Sequence, residues 1–194
     1  MVGRTPLADL ARQRNLQVAQ SSMQSLSAEN NLSKFKREGV ECMFQYRQAK
    51  FSDVEDIFNL IAGYAAQGIM LPKPHNILYE VIREFVVAEE PDTGKVIGTG
   101  ALHLTWNELA EVRSMAVHPD YKRHGIGAEI VKKLLEQGRE VGVKKFFTLT
   151  YSPEFFQSLG FKTTTKESLP HKIWKECIEC PKFPNCDEIA MILE

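Results

Sequence analysis

From Phe44 onward the hydrophobic and polar positions fall into clear periods. Phe44, Tyr46 and Gln48 alternate with Gln45, Arg47 and Ala49, the two-residue period of a strand. Ser52 then stands before Val54, Ile57, Leu60 and Ile61 at helical spacing, and with Glu55 it forms the pattern of a capping box that opens a helix. Two glycines and two prolines break the stretch 63–74. Ile77 to Ile82 predicts a second helix and Phe85 to Ala88 a strand, with Asp92-Thr93-Gly94-Lys95 as the hairpin turn into a partner strand from Val96 to Leu104. A loop at Thr105 to Asn107 precedes another strand from Ala110 to Val117. Pro119 and a glycine-containing loop lead into a long amphipathic helix carrying Ile126, Ile130, Leu134 and Leu135 on one face, with Gly142 placed as its C-cap. The remainder predicts a strand at Phe146 to Thr150, a short helix at Pro153 to Leu159, a strand from Phe161, a helical turn or two over Leu169 to Cys177, and a last strand at Ile189 to Leu193. Strands and helices interleaved in this way predict an α/β domain.

Residues 1–42 are different. They are rich in Gln, Ser, Asn and Ala, and Leu7, Leu10, Leu16 and Val18 are too sparse to seal a core, so this stretch is expected to be a polar extension, flexible or loosely helical. The folded domain is assigned to 43–194, including a cysteine-rich C-terminal segment; 194 residues suit one domain and a tail. Lys plus Arg number 24 against 25 Asp plus Glu, a net charge of -1, so bulk charge points to neither nucleic acid nor a membrane surface. The apolar runs are far shorter than the roughly 20 residues that span a bilayer. Arg4, Arg12 and Arg14 are not followed by a continuous apolar region, and Asp9 interrupts any transit-like pattern, so a cytoplasmic protein is expected. Its four cysteines would then be thiols unless a metal takes them.

The chemical signal lies at 112–128. A strand, then His118-Pro119-Asp120-Tyr121, then Lys122-Arg123-His124-Gly125-Ile126-Gly127-Ala128 run directly into the long helix. A glycine-rich turn at a helix N-terminus presents unpaired N–H groups beside the positive end of the helix dipole and can cradle a pyrophosphate, although two glycines there also suit an ordinary tight turn. The ordered set of strand, Ala-Val-His-Pro-Asp-Tyr, basic residue, Gly-x-Gly and helix resembles the coenzyme A-binding motif of the GNAT acetyltransferases. Phe155-Phe156-Gln157-Ser158-Leu159-Gly160-Phe161 is similar to that family's aromatic-aromatic-x-x-Leu-Gly-Phe segment. The resemblance spans residues 44–165. It departs at Lys122, where Arg or Gln is usual, and at Phe156, where many members carry a tyrosine that protonates the departing thiolate.

This resemblance implies the GNAT fold: a mixed, mostly antiparallel twisted sheet with flanking helices, whose strands 110–117 and 146–150 splay apart to hold acetyl-CoA. Pantetheine would pair with the backbone of Met115 and Val117 as a pseudo-strand, and pyrophosphate would rest on Arg123 to Ala128. The implied cofactor-binding set is Met115, Ala116, Val117, Lys122, Arg123, His124, Gly125, Ile126, Gly127, Ala128, Thr150, Phe155 and Phe156. The reaction is direct attack of an amine on the thioester through a tetrahedral intermediate, with the N–H of Met115 as an oxyanion donor. No metal is required for it.

An α-amine is largely cationic at neutral pH and must lose a proton before it attacks. Glu111 matches the position where several GNAT enzymes place a catalytic glutamate, acting directly or by holding a water. It could equally be a solvated strand-edge carboxylate. His103 could serve as base or substrate ligand, or be structural among its apolar neighbours. No Gly-x-Ser-x-Gly elbow and no evident Cys–His pair supports nucleophilic catalysis.

Tyr64 to Pro72, Gly100 to His103, Ala110 to Val117 and Leu169 to Trp174 resemble the acetyltransferase domain of N-acetylglutamate synthases, the first enzymes of arginine biosynthesis, in short forms lacking a kinase domain. The acceptor implied is the α-amine of L-glutamate, whose two carboxylates would be met by Arg113, Lys172, Lys175 and Lys73. Another amine acceptor, or a non-catalytic acetyl-CoA sensor, is the alternative; a homodimer is compatible with the sequence. His171, Cys177, Cys180 and Cys186 form a His-x5-Cys-x2-Cys-x5-Cys pattern that could hold structural zinc or could simply pack as small side chains.

Overall fold

The computed structural model describes residues 32–37, 40–169, 178, 180 and 182–194. The chain separates into two compact units, Met1–Gln45 and Tyr46–Glu194. In the first, β1 (Leu32–Arg37) pairs antiparallel with the start of β2 (Val40–Gln48), from Leu32 opposite Gln45 to Arg37 opposite Val40. The strand expected from Phe44 therefore begins at Val40, and the hairpin lies within the stretch whose composition suggested an extension.

The second unit contains α1 (Val54–Ala65), α2 (His75–Glu80), β3 (Phe85–Glu89), β4 (Val96–Trp106), β5 (Leu109–Val117), α3 (Ile126–Glu140), β6 (Lys145–Thr150), α4 (Pro153–Ser158), β7 (Lys162–Thr163) and β8 (Ile189–Leu193). The end of β2 lies beside β3, and the order continues β3-β4-β5-β6-β8-β7. The β5–β6 pair is parallel, joined through α3, and the β3–β4, β4–β5, β6–β8 and β7–β8 pairs are antiparallel. This is the mixed, mostly antiparallel sheet that the motif order implied. Among the described residues no helix is long and apolar enough to cross a membrane.

The helices flank both faces of the sheet. On one face Ile57, Leu60 and Ile61 of α1 and Leu78 of α2 pack on Phe85, Val87 and Ala101. On the other, α3 sits so close that a Cβ added at Gly98 would lie 2.9 Å from the Ile126 side chain, and one at Gly100 would lie 2.8 Å from Ile130. The spacing of the two glycines puts both under the same helix, since alternate strand residues share a face. α3 stops where Gly142 takes φ 92°, with Gly142 N–H donating to Arg139 O and Val143 N–H to Gly138 O, the paired bonds of a Schellman end.

Two local expectations change. A 3-10 turn at Phe51–Asp53 enters α1, which makes Asp53 rather than Ser52 its flanking residue, so the Ser52–Glu55 capping box gives way to another arrangement. Arg47 donates to both Asp53 oxygens at 2.6 and 3.0 Å, and Lys50 N–H donates to the same carboxylate at 2.7 Å. Burial alone would push the Asp53 carboxyl upward, but these bonds outweigh it and hold it below the ordinary carboxylate range. The helical segment expected over 169–177 lies outside the described residues beyond Leu169, which follows a 3-10 turn at Lys166–Ser168.

Candidate active site

β5 and β6 pair only at Leu109–Lys145, Ala110–Phe146 and Glu111–Phe147; β5 then runs on to Val117 and β6 to Thr150 without partnering each other. Between the diverging strands lies a cleft of about 1060 Å³, bordered by Met115, Ala116 and Val117 on one side and Thr148, Leu149 and Thr150 on the other. This is the splayed pair that the sequence implied.

A register shift shapes the β5 wall. Thr99 faces Ala116 but Ala101 faces Arg113, so Ser114 and Met115 together oppose Gly100, a β-bulge with Ser114 at φ 55°. The bulge needs glycine opposite it, because a Cβ at Gly100 would stand 2.4 Å from Met115 Sδ. Such a bulge interrupts the ladder and re-aims the backbone locally, which is how N–H groups of a central strand become available to a ligand.

At the C-terminal end of β5 the chain turns into α3 through Arg123 at φ 64° and Gly125 at φ 76°. Left-handed residues alternating with ordinary ones curl successive N–H groups into a concavity of the kind that suits an anion, here at the head of a 15-residue helix. A Cβ at Gly125 would meet nothing within 4 Å, whereas one at Gly127 would press on the Phe155 ring at 3.2 Å. Lys122, Arg123, Gly125, Gly127 and Ala128 all border the cleft. His124 and Ile126 of the expected set do not, and the Ile126 side chain turns inward, 1% exposed, beneath Gly98. Phe155 and Phe156 also border it, Phe156 lying nearly buried with its ring edge-on to both Phe155 and Phe161. Thr150 contributes its hydroxyl oxygen to the Ser152 N–H at 2.9 Å.

Tyr64, which no sequence motif assigns a role, donates its hydroxyl to Val117 O at 2.6 Å, and the Lys122 ammonium lies 4.9 Å from the centre of its ring. Tyr64 thus braces the end of β5 from α1.

The charged groups gather where the splay begins. His103 and Glu111 are cross-strand partners, and Arg113 lies two residues along β5 on the same face. Glu84, at the end of a 3-10 turn before β3, joins them: one carboxylate oxygen lies 2.8 Å from His103 Nδ1 and the other accepts from Arg113 at 3.0 Å. Arg113 also stands 3.7 Å from Glu111. Burial alone would push Glu84 upward; the His103 hydrogen bond and the charges of Arg113 and His103 outweigh it and hold Glu84 below the ordinary carboxylate range. No spacing rule ties Glu84 to residues 19 and 29 positions later, so nothing in the sequence marks it out. Lys73, His103, Glu111 and Arg113 all border the cleft; Lys172 and Lys175 lie outside the described residues.

Of the cysteine-rich segment, Cys180 and Cys186 are half-buried thiols bordering the same cleft, with Phe183 and Glu188. Cys177 and His171 lie outside the described residues, so the four-ligand set is not described together. Among the described residues no group of three or more His, Cys, Asp or Glu is placed to hold a metal ion.

Comparison with known proteins agrees with this geometry. Residues 52–161 match the acetyltransferase (GNAT) family. An uncharacterised N-acetyltransferase of Chlorobaculum tepidum is 41% identical over 75% of this chain and 93% of its own length. The amino-acid acetyltransferase of Mycobacterium tuberculosis is 45% identical over 62% of this chain and 70% of its own. The N-acetylglutamate synthase of Neisseria gonorrhoeae, solved with coenzyme A and N-acetyl-glutamate, superposes with a TM-score of 0.70 at 25% identity, over 79% of this chain and 35% of that one. With the family matched across more than half its length, on a sheet that opens where the motifs lie, the chain belongs to the GNAT acetyltransferases.

Proposed function

We propose that the protein transfers the acetyl group of acetyl-CoA to the α-amine of L-glutamate, the opening reaction of arginine biosynthesis. The observation that carries this reading is the cleft, with an open strand edge and a left-handed glycine turn at one end and a cluster of ionisable groups at the other. The name of the mycobacterial relative and the ligands of the Neisseria synthase support the amino-acid acceptor.

The concavity from Arg123 to Ala128 fits a pyrophosphate, since it offers curled N–H groups at a helix N-terminus with no side chain at Gly125 to fill it. The backbone of Met115 and Val117 would pair with pantetheine along the open edge of β5, with the Met115 N–H at the bulge as the oxyanion donor. Glu111 and His103, opposite each other, hold the acceptor ammonium and take its proton. Lys73 and Arg113 draw in the carboxylates, joined by Lys172 and Lys175.

One observation favours a second acceptor class. Arg113 is already shared between Glu84 and Glu111, which reduces the positive charge available to a second carboxylate and suits an amino acid with a neutral side chain, such as glutamine. Thiol release from acetyl-CoA, measured across a panel of amino acids, spermine and a peptide N-terminus, tests both. Glutamate or glutamine should give the highest kcat/KM. Spermine or lysine ahead of both would refute the assignment.

A further inference from the structure

We propose that Tyr64 is a positioning residue for the phosphate-bearing half of the coenzyme: its ring and hydroxyl hold Lys122 and the end of β5 in the geometry that receives a pyrophosphate. The proposal deepens the reading of the cleft as a coenzyme site and rests on it. Tyr64 stands half-buried in the last turn of α1 and borders the cleft. Its partner on β5 is aimed by the backbone itself. His118 N–H donates to Ile97 O in β4 at 2.7 Å, and a trans peptide sends its N–H and C=O in opposite directions, so Val117 O points away from β4 and into the cleft. The Tyr64 hydroxyl meets it there at 2.6 Å.

Beyond the 3-10 turn Pro119–Tyr121 the chain returns to the same side chain, with the Lys122 ammonium 4.9 Å from the centre of the Tyr64 ring. One aromatic residue therefore clamps both ends of the segment that carries β5 into the left-handed turn at Arg123 and Gly125. Tyr64 also packs against the core cluster that includes Ile57, Ile61 and Leu78, so the clamp is anchored in the body of the domain. The need for it follows from Lys122 itself. A guanidinium is a planar fork that keeps its direction, whereas lysine is a point charge on a flexible four-carbon stem and gives up more rotamer freedom for each bond it makes to a phosphate. The Lys122 side chain is exposed, and a cation over the face of a tyrosine is attracted by the ring quadrupole without being neutralised. The ammonium is confined beside the turn with its charge intact, and part of the ordering that binding demands is complete before the coenzyme arrives. A carboxylate in the place of Tyr64 would hold Lys122 and cancel the charge that the phosphate needs.

Calorimetry with two probes tests this: coenzyme A, and pantetheine, which is the same arm without its phosphates. Tyr64→Leu removes both ring and hydroxyl and should weaken coenzyme A about tenfold while leaving pantetheine within about twofold. Tyr64→Phe keeps the ring and should stay within about threefold of the wild type for coenzyme A. Lys122→Ala should weaken coenzyme A by a factor similar to Tyr64→Leu, and adding Tyr64→Leu to it should change affinity by only about twofold, because both act through one contact. Lys122→Ala alters an exposed side chain, so it carries the test even if Tyr64→Leu fails to fold. A tyrosine that only braced β5 would give a different pattern: coenzyme A and pantetheine weakened alike, and effects of Tyr64→Leu and Lys122→Ala that multiply. Either result would overturn the proposal, as would full coenzyme A affinity in Lys122→Ala. Failure of the wild type itself to bind coenzyme A would reject the coenzyme reading of the cleft, and the role of Tyr64 with it.

Discussion

Gly100→Ala probes the bulge on which the cleft depends. The added methyl would lie 2.4 Å from Met115 Sδ, 2.8 Å from Ile130 Cγ2 and 3.3 Å from Leu134 Cδ1. Comfortable contacts between such atoms need about 3.5–4 Å, so two of the three neighbours must retreat by about 1 Å. Met115 can swing, but Ile130 is fully buried and β-branched on the helix that covers the sheet, and it moves only if α3 moves. Overpacking of this kind costs about 1–3 kcal/mol, offset by about 0.4–1 kcal/mol from the narrower unfolded ensemble of alanine. A net loss of about 1–2 kcal/mol should lower Tm by about 2–8 °C in a chain of this size. Because Met115 is the residue displaced, affinity for coenzyme A by calorimetry should weaken about tenfold, equivalent to about 1.4 kcal/mol. Gly63→Ala is the control: nothing lies within 4 Å of its Cβ in the last turn of α1, and alanine there should raise stability by up to about 1 kcal/mol. If Gly100→Ala melts within 1 °C of the wild type and binds coenzyme A equally well, the account of the bulge is wrong.

Gly127→Val should weaken coenzyme A binding at least tenfold by calorimetry while keeping a cooperative melt, since its side chain faces the movable Phe155 ring rather than a helix; unchanged affinity would remove the pyrophosphate site from this turn. Asp53 and Glu84 both have folded-state pKa values below their unfolded ones, so their contribution to stability is fully present above about pH 4.5 and is lost as pH falls through the folded values. Tm measured from pH 7 downward should therefore fall more steeply in the wild type than in Asp53→Asn; parallel curves would show that the Asp53 charge adds no stability at neutral pH.

The order of elements from Phe85 to Thr150 was legible in the sequence because each carried its own signal: a buried apolar run, a turn with Gly94 at φ 69°, a helix with one apolar face, a glycine at its left-handed end. The glycine turn at the head of α3 was legible for the same reason, as all its parts are contiguous. What escaped were relations between distant residues. The Ser52–Glu55 box obeyed a local rule that Arg47 and Asp53 override from across the β2–α1 junction. Glu84 reads as an ordinary surface acid until the sheet brings His103 and Arg113 to it, and Tyr64 reads as part of the broken stretch 63–74 until its hydroxyl meets Val117. The bulge was invisible too, for it exists only as a mismatch in count between two strands.

The short ladder between β5 and β6 has a consequence for how the protein lives without its ligand. A sheet ordinarily keeps unpaired edges at its margins, where charge or a covering helix blunts them; this one has two more near its middle, along 112–117 and 148–150. Apart from Val117 O, which Tyr64 holds, those carbonyls and amides fall to water in the resting protein, and a ligand with an amide-bearing arm replaces it as a temporary strand. Such a ligand does more than occupy a site, because it stitches β2–β5 to β6–β8 across a seam of three residue pairs. Folded stability is then partly on loan from the metabolite pool, rising with the logarithm of ligand concentration, and the protein should be least resistant to proteolysis when acetyl-CoA is scarce.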